Sequence, residues 1–152
     1  MDLATAAQAA HWFDLPSYYA EVRRVARPGA IVALITYGVM TVDAELDAVI
    51  EPFYHDVLGP HWPPERRHVD EGYRSLPFPF AEISAPSLEI RRESRLPDVI
   101  GYVGTWSAVW ALQREEGQAP LEAFDRVLAG AWGPADRVRT VRWPLTLRVG
   151  RV

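Results

Sequence analysis

The sequence contains no cysteine, which excludes a disulfide framework, a thiolate metal site and a thiol nucleophile. Lysine is absent too: all 16 basic residues are arginine, which excludes Schiff-base chemistry and a lysine general base. GC-rich codon usage is the simplest interpretation of this bias, and the alternative is arginine forks that bind carboxylate or phosphate. No stretch approaches the roughly 18 apolar residues of a membrane span, and the first residues lack the features of a secretory signal. We therefore predict a cytoplasmic protein with no membrane partner.

The charge balance is mildly acidic, with a formal net charge of −4. Nucleic-acid binding normally requires a basic surface, so we expect no nucleic-acid partner. With 152 residues, 49% of them hydrophobic and 24% charged, the chain has the composition of one ordinary soluble domain, residues 1–152. A chain of this length can bury roughly 68–70% of its unfolded surface, so it can hold a real core.

Compact catalytic motifs are missing as well. The sequence has no GxSxG, HExxH, GxxxxGK[ST] or GxGxxG. His61 and His68 flank Glu65, but the stretch is broken by prolines, and the four histidines are better interpreted as surface residues than as metal ligands. We predict no metal site and assign no catalytic residue.

The first third of the chain predicts a strand, a helix and a buried strand, which together form one parallel crossover unit. Residues 2–7 form the first strand, and Asp14 is a good N-cap for a helix with Pro16 in its first turn. Residues 27–29 (RPG) end that helix. The apolar, β-branched run 30–37 is typical of a strand covered on both faces.

The remaining elements are less regular, and apolar spacing defines them. In chain order they are a helix at 43–57 interrupted by Pro52, irregular chain at 58–86 with a short helix near 64–74, a partly exposed strand at 87–96, helices at 98–116 and 120–131, and a strand at 141–149. The last strand alternates apolar and polar residues, which is typical of antiparallel pairing, and its Pro144 favours an edge position or a bulge.

His11, Trp12 and Phe13 follow the first predicted strand. Ligands of open parallel sheets bind beyond the carboxyl ends of the strands, so these residues are candidates to line a pocket. The alternative is a hydrophobic staple that packs against the helix after Asp14. Position alone does not decide between the two.

Seven short blocks, in order along nearly the whole chain, resemble class I S-adenosylmethionine-dependent methyltransferases. The similarity is greatest to the small-molecule group that includes trans-aconitate methyltransferase-like enzymes. The blocks are residues 7–13 (AQAAHWF), 27–30 (RPGA), 53–54 (FY), 59–66 (GPHWPPER), 76–80 (LPFPF), 105–109 (TWSAV) and 143–145 (WPL). Each block alone is weakly specific, and their order makes the resemblance strong.

The resemblance implies an α/β fold equivalent to the C-terminal half of a Rossmann-like methyltransferase sheet, with two parallel strands followed by helices and antiparallel strands. Residues 1–40 would be the remnant of the cofactor-binding sheet, and residues 41–152 the acceptor-pocket cover and C-terminal strands. The family's glycine-rich cofactor loop and ribose-binding acidic residue are missing. We therefore expect an N-terminally truncated chain, and a misplaced start codon, a decayed gene and a genuine short protein all remain open.

The resemblance also implies site residues. Gln8, His11 and Trp12 would lie near S-adenosylmethionine, the cofactor. The residues that would line the acceptor pocket are Tyr54, Trp62, Tyr73, Tyr102 and Trp106. For Tyr73 and Trp106 core packing is an equal alternative, and Arg66 or Arg67 could clamp an acceptor carboxylate or simply lie on the surface.

The implied function is methyl transfer to a small-molecule acceptor, by a chain that is inactive alone and does not bind S-adenosylmethionine with useful affinity. The alternative is a noncatalytic small-ligand-binding or interaction domain derived from a methyltransferase. The first strand would lack its neighbour on one side, so we expect a homodimer through that open edge.

Overall fold

The computed structural model describes residues 1–152, which divide into two compact units. Unit 1 comprises Met1–Gly38, Pro64–Ile90 and Pro144–Val152, and unit 2 comprises Val39–Pro63 and Arg91–Trp143. The strands are β1 Leu3–Ala7, β2 Ile31–Tyr37, β3 Ala81–Ile83, β4 Leu88–Ser94 and β5 Arg139–Arg151. The helices are α1 Leu15–Val25, α2 Ala44–Pro52, α3 Arg66–Asp70, α4 Leu96–Val103, α5 Ser107–Glu116 and α6 Ala119–Trp132, with short 3₁₀ turns at Ala10–Trp12 and Gly59–His61 and a π-helical turn at Phe53–Val57.

The sheet is mixed, with strand order β1-β2-β5-β3 and β4 paired with β5. β1 and β2 run parallel, from Leu3 opposite Ile31 onward, whereas β2 and β5 run antiparallel, ending at Tyr37 opposite Leu145. This sheet and its helices confirm the predicted α/β fold class. β5 has neighbours on both sides, so the edge position favoured by Pro144 is wrong. Pro144 immediately precedes Leu145, where the β2 register ends, so its missing N–H breaks no pair of that register.

The core of unit 1 joins β1, β2 and α1 to the chain around α3. Its buried members are Ala6, Ala10, Leu15, Tyr19, Leu34, Val69, Tyr73 and Leu76. α1 begins where Asp14 predicts, but the Asp14 carboxylate accepts a hydrogen bond from the Ser17 hydroxyl and makes no capping bond to the backbone. Gly29, at φ 82°, supplies the left-handed turn that follows the helix.

Unit 2 is built mainly from α2, α4, α5 and α6. The predicted interruption at Pro52 is confirmed, since α2 ends there and the chain continues as the π-helical turn. Phe53 in that turn stacks on Phe124 of α6, with ring centroids 3.9 Å apart. Trp132 at the end of α6 is fully buried, and its indole N–H donates to the Arg137 carbonyl at 3.0 Å.

The single helix predicted over 98–116 is wrong, because the chain forms α4 and α5 with a turn between them. The Thr105 hydroxyl donates to the Tyr102 carbonyl at 2.7 Å, which satisfies an acceptor at the end of α4. Trp106 then adopts an extended backbone (φ −68°, ψ 134°) as the residue before α5. The apolar spacing is helical on both sides of this turn, so periodicity alone did not reveal it. None of the helices combines the length and apolar character of a membrane-crossing segment.

Candidate functional site

Gln8 ties together the carboxyl ends of the two parallel strands. Its backbone N–H donates to the Ile35 carbonyl at 2.8 Å. Its side-chain Nε2 donates to the Tyr37 carbonyl at 3.1 Å, while Oε1 accepts from the Tyr37 N–H at 3.1 Å and from the Thr36 hydroxyl at 2.8 Å. The orientation of the amide is therefore fixed, and Gln8 positions the end of the sheet where ligands of such folds bind.

Two non-glycine residues of unit 1 have left-handed backbones: Gln8 at φ 51° and Tyr73 at φ 60°. Such conformations cost of order 1–3 kcal/mol each and persist only where neighbouring contacts hold them. For Tyr73 those contacts are its N–H, which donates to the His68 carbonyl at 2.7 Å, and its carbonyl, which accepts from Arg148 Nη1 at 2.9 Å. The fold thus holds both side chains in place at an energetic cost.

His11 lies on the 3₁₀ turn after β1, and its Nδ1 is 2.8 Å from the hydroxyl of fully buried Tyr73. Burial lowers the pKa of His11, the Arg66 and His68 charges lower that pKa further, and Glu65 opposes them. Burial also raises the pKa of Tyr73. The pair therefore consists of a neutral imidazole and a neutral phenol near pH 7.

The two residues after His11 differ in their contacts. The Phe13 ring lies 5.0 Å from that of Tyr18, which joins the residue before the N-cap to the fourth residue of α1 as a hydrophobic staple. Trp12 is 59% exposed and contacts the His11 ring, with centroids 4.8 Å apart. The staple interpretation therefore describes Phe13, while His11 and Trp12 remain available to a ligand.

Four of the five residues predicted to line the acceptor pocket form one aromatic cluster in unit 2. The ring of Trp106 lies 5.5 Å from Tyr54, 6.0 Å from Trp62 and 5.7 Å from Tyr102. The Trp62 indole N–H also donates to the Tyr54 carbonyl at 3.2 Å. Tyr54 and Trp106 are buried, whereas Trp62 and Tyr102 are partly exposed. The fifth residue, Tyr73, belongs to unit 1 and contacts His11.

The two candidate arginine clamps have different environments. The Arg66 side chain is 19% exposed, with Nε 3.4 Å from Asp70 Oδ1. Arg67 is 70% exposed, with Nε 3.8 Å from Glu71 Oε1, so the surface alternative describes Arg67. The Arg66 charge lowers the pKa of His11, so Arg66 lies near the residues at the strand ends.

The His61 side chain is largely buried, contrary to its interpretation as a surface residue. Its side chain is 7% exposed, with Nδ1 and Nε2 each 3.2 Å from a carboxylate oxygen, of Glu115 and Glu116 respectively. No local pattern indicated this contact, because Glu115 and Glu116 of α5 lie about 50 residues further along the chain. No group of three or more His, Asp or Glu side chains is arranged to hold a metal ion.

Sequence reasoning missed two polar residues of this site. Thr36 is 1% exposed and donates to Gln8, and a hydroxyl near the end of an otherwise apolar strand was a usable signal. Arg148 donates to the Tyr73 and Leu76 carbonyls, at 2.9 and 2.6 Å. Its place on the polar alternation of β5 gave no indication of that role.

Comparison with known proteins shows which proteins this chain is similar to. No family model matches the chain. A Dictyostelium discoideum protein named "Putative methyltransferase" is 30% identical over 139 residues, which cover 90% of this chain and 53% of that protein. A solved structure described as a "Putative Type II Methyltransferase" from Anaeromyxobacter dehalogenans is 52% identical, with a TM-score of 0.93 over 99% of this chain and 64% of that one. The chain is class I methyltransferase-like.

These two matches confirm the resemblance that the short sequence blocks of this methyltransferase-like chain carry. The chain spans about half the length of the curated relative and less than two thirds of the structural one.

Proposed function

We propose that this methyltransferase-like chain supplies part of a cytoplasmic S-adenosylmethionine-dependent methyltransferase that acts on a small molecule. Residues 1–40 would belong to the cofactor-binding sheet, and residues 41–152 to the acceptor cover and C-terminal strands. The observation that carries the proposal is the match of 99% of the chain, at 52% identity, to a methyltransferase structure. The polar residues at the carboxyl ends of β1 and β2 lie where open α/β sheets bind ligands.

Gln8, His11 and Trp12 are the proposed cofactor contacts. Trp12 offers an exposed aromatic face, which suits a purine ring or a sulfonium cation. His11 is a neutral polar group, and Gln8 fixes the strand ends from which both follow. The cofactor, when bound, supplies an activated methyl group, so these residues need only bind and orient it.

The chain alone is proposed to be inactive. The Gln8 side chain already makes three hydrogen bonds within the sheet, and ligand affinity depends on a few well-placed polar groups. The structural relative has more than a third of its length without a counterpart here. That additional length would supply the missing cofactor contacts.

A fusion protein tests this proposal. The segment of the Anaeromyxobacter protein without a counterpart here would be joined to this chain in its native order. Calorimetry should detect S-adenosylmethionine binding by the fusion, weakened by Trp12→Ala, and no binding by the chain alone. Micromolar affinity of the chain alone would contradict its inactivity, and equal affinity of the fusion and its Trp12→Ala variant would remove Trp12 from the site.

The proposed acceptor contacts are the aromatic cluster of unit 2. Trp62 and Tyr102 are partly exposed and could touch an acceptor. The buried Tyr54 ring packs against Trp62, and the buried Trp106 ring packs against Tyr102. In an active fusion, Trp62→Ala should raise KM for the acceptor more than it lowers kcat. Tyr73, which the resemblance places in the same pocket, belongs to unit 1 and contacts His11.

A second candidate function is noncatalytic binding of an apolar ligand. It is favoured by a groove of about 520 Å³ in unit 2, between α2, the π-helical turn and α6. The residues that line it are mostly apolar, among them Val49, Pro52, Phe53, Phe124 and Val127. Binding of an apolar dye that Val127→Glu abolishes, without any S-adenosylmethionine affinity in the fusion, would favour this alternative.

The proposed partner is a second copy of the chain, paired through β1. This strand ends the sheet order, and its row of backbone groups has no lysine or proline to discourage pairing. Between β1 and α1 lies a groove of about 320 Å³, lined by Met1, Leu3 and Tyr18 among others, where the Tyr18 hydroxyl is buried without a hydrogen-bond partner. Twofold pairing would cover this surface, since closed symmetric contacts are the common kind.

Light scattering tests the dimer. The wild-type chain should scatter as a dimer, and Thr5→Lys on β1 should convert it to a monomer by placing a charge on the edge. Ser87→Lys, on exposed chain between β3 and β4, adds the same charge away from β1 and should leave the dimer intact. A stable wild-type monomer at high protein concentration would contradict the proposal.

A further inference from the structure

We propose that Tyr73 is a positioning residue for His11: its hydroxyl donates to Nδ1 and fixes the neutral imidazole with its proton on Nε2. His11 would then meet a ligand as a neutral hydrogen-bond donor with one fixed orientation. The part of this inference that concerns a ligand rests on the proposed function. The tautomer itself is a property of this chain and can be measured without any ligand.

The burial of Tyr73 separates this role from direct contact with an acceptor. Its side chain is 0% exposed, within the core that also contains Ala10 and Val69. The hydroxyl lies 2.8 Å from His11 Nδ1, and the two ring centroids are 5.8 Å apart. Because its ring is fully buried, Tyr73 would act on a ligand through His11 and not by direct contact.

The backbone of the loop keeps Tyr73 beneath His11. Gly72 and Tyr73 are both left-handed, at φ 61° and φ 60°, so the chain turns sharply just before the tyrosine ring enters the core. A Cβ on Gly72 would lie 2.9 Å from the Thr146 methyl group, which shows how closely this turn packs on β5. Arg148 anchors the other side by donating to the Tyr73 and Leu76 carbonyls. Tyr73 therefore has little freedom to leave His11.

The neighbours of the Tyr73 oxygen support this tautomer. Hydrogen bonding from the backbone N–H groups of Ala10 and His11 acts to lower the pKa of Tyr73, against the effect of burial, and an amide N–H can only donate. Thr36, which also neighbours this oxygen, sends its own proton to Gln8 Oε1. The Tyr73 oxygen serves as acceptor toward the backbone, and the inference assigns its own proton to His11 Nδ1, which lies 2.8 Å away. A neutral His11 must then carry its proton on Nε2.

The charges around His11 agree with a neutral ring. Arg66 on α3, together with His68, disfavours a cationic imidazole, while Glu65 just before α3 acts in the opposite direction. A neutral donor beside a guanidinium favours an oxygen acceptor on the ligand, such as a carboxylate or a carbonyl group. His11 and Arg66 together would therefore select the orientation of an oxygen-bearing ligand.

Nitrogen NMR of the histidine side chains tests the inference on the chain itself. The His11 signals are identified by their loss in His11→Gln. In the wild type at neutral pH, Nε2 should have the chemical shift of a protonated nitrogen, and Nδ1 that of an unprotonated one. In Tyr73→Phe the two shifts should move toward each other as both tautomers become populated, and His11 should accept a proton at higher pH than in the wild type.

Tyr18→Phe is the matched control, because it removes another buried hydroxyl of unit 1 that has no hydrogen-bond partner. It should leave the His11 shifts unchanged. A wild-type His11 protonated on Nδ1, or shifts that Tyr73→Phe does not alter, would overturn the proposal. The wild-type shifts alone report the tautomer. The proposal can therefore be contradicted even if the Tyr73→Phe protein fails to fold. No cofactor is present in this measurement, so its result is independent of the fusion experiment.

Discussion

The two groups of candidate site residues are held by different forces. In unit 1, Gln8, Thr36 and the His11–Tyr73 pair are connected by hydrogen bonds of 2.8 to 3.1 Å. In unit 2, the aromatic cluster is held mainly by ring contacts, with centroids 5.1 to 6.0 Å apart. Ring packing tolerates changes in angle, whereas a hydrogen-bonded network fails when one partner is removed. The first group is therefore specified by donor and acceptor identity, and the second by buried volume.

The largest effect is expected from Trp106→Ala in the aromatic cluster. Trp106 is 9% exposed and contacts three other rings, so truncation leaves a cavity that the cluster cannot fill. The free energy of unfolding should fall by about 3–5 kcal/mol, the usual cost of removing a buried tryptophan side chain. Urea denaturation of both proteins measures the difference.

Trp110→Ala is the control for this prediction. Trp110 lies in α5, four residues after Trp106, is 64% exposed, and donates from its indole N–H to the Gly104 carbonyl at 2.9 Å. Its truncation should cost no more than about 1 kcal/mol, since it removes one exposed hydrogen bond and no core volume. Equal losses for the two variants would show that buried volume does not govern the cluster.

A smaller effect is expected from Gln8→Ala in the polar group. The substitution leaves the buried Thr36 hydroxyl and the Tyr37 N–H without their acceptor, and unsatisfied buried groups cost about 1–3 kcal/mol. Alanine would also have to adopt the left-handed backbone of this position. The free energy of unfolding should therefore fall by about 1–3 kcal/mol.

Gln8→Gly separates the side chain from the backbone at the same position. Glycine accepts the left-handed conformation at little cost, so it loses the same hydrogen bonds without the strain. Gln8→Gly should be less destabilised than Gln8→Ala in the same urea titration. If the glycine variant matched the wild type, the side-chain hydrogen bonds would contribute nothing to stability.

Much of unit 1 could be predicted because its signals are local. The apolar run 30–37 predicted a buried strand, and β2 covers Ile31–Tyr37. The RPG turn and the Asp14 boundary likewise agree with α1, since helix ends depend on a few neighbouring residues. The resemblance of short blocks then predicted the fold class, which a sheet and a structural relative confirm.

The contacts that could not be predicted join residues distant in sequence. Tyr73 meets His11 across 62 positions, and Arg148 reaches the Tyr73 carbonyl across 75. The turn at Gly104–Trp106 escaped detection for a different reason, because the apolar positions on its two sides continue a helical spacing. Local patterns fix elements and their ends, whereas the partner of a buried polar group depends on how the loops return to the sheet.

The smallest effect concerns pH and distinguishes the polar group from the aromatic one. Burial holds the pKa of His11 below its ordinary value of 6.5. As the pH falls through 6.5, the unfolded chain binds a proton that the folded chain resists, so the free energy of unfolding declines until the lower folded-state pKa is passed. His11→Gln removes this contribution, so its melting temperature should decline less than that of the wild type between about pH 7.5 and pH 5.5.

The other histidines are shared by both proteins, and Trp106→Ala should keep the wild-type dependence on pH because it leaves His11 in place. Parallel declines in wild type and His11→Gln would show that His11 binds its proton as readily in the folded chain as in the unfolded one.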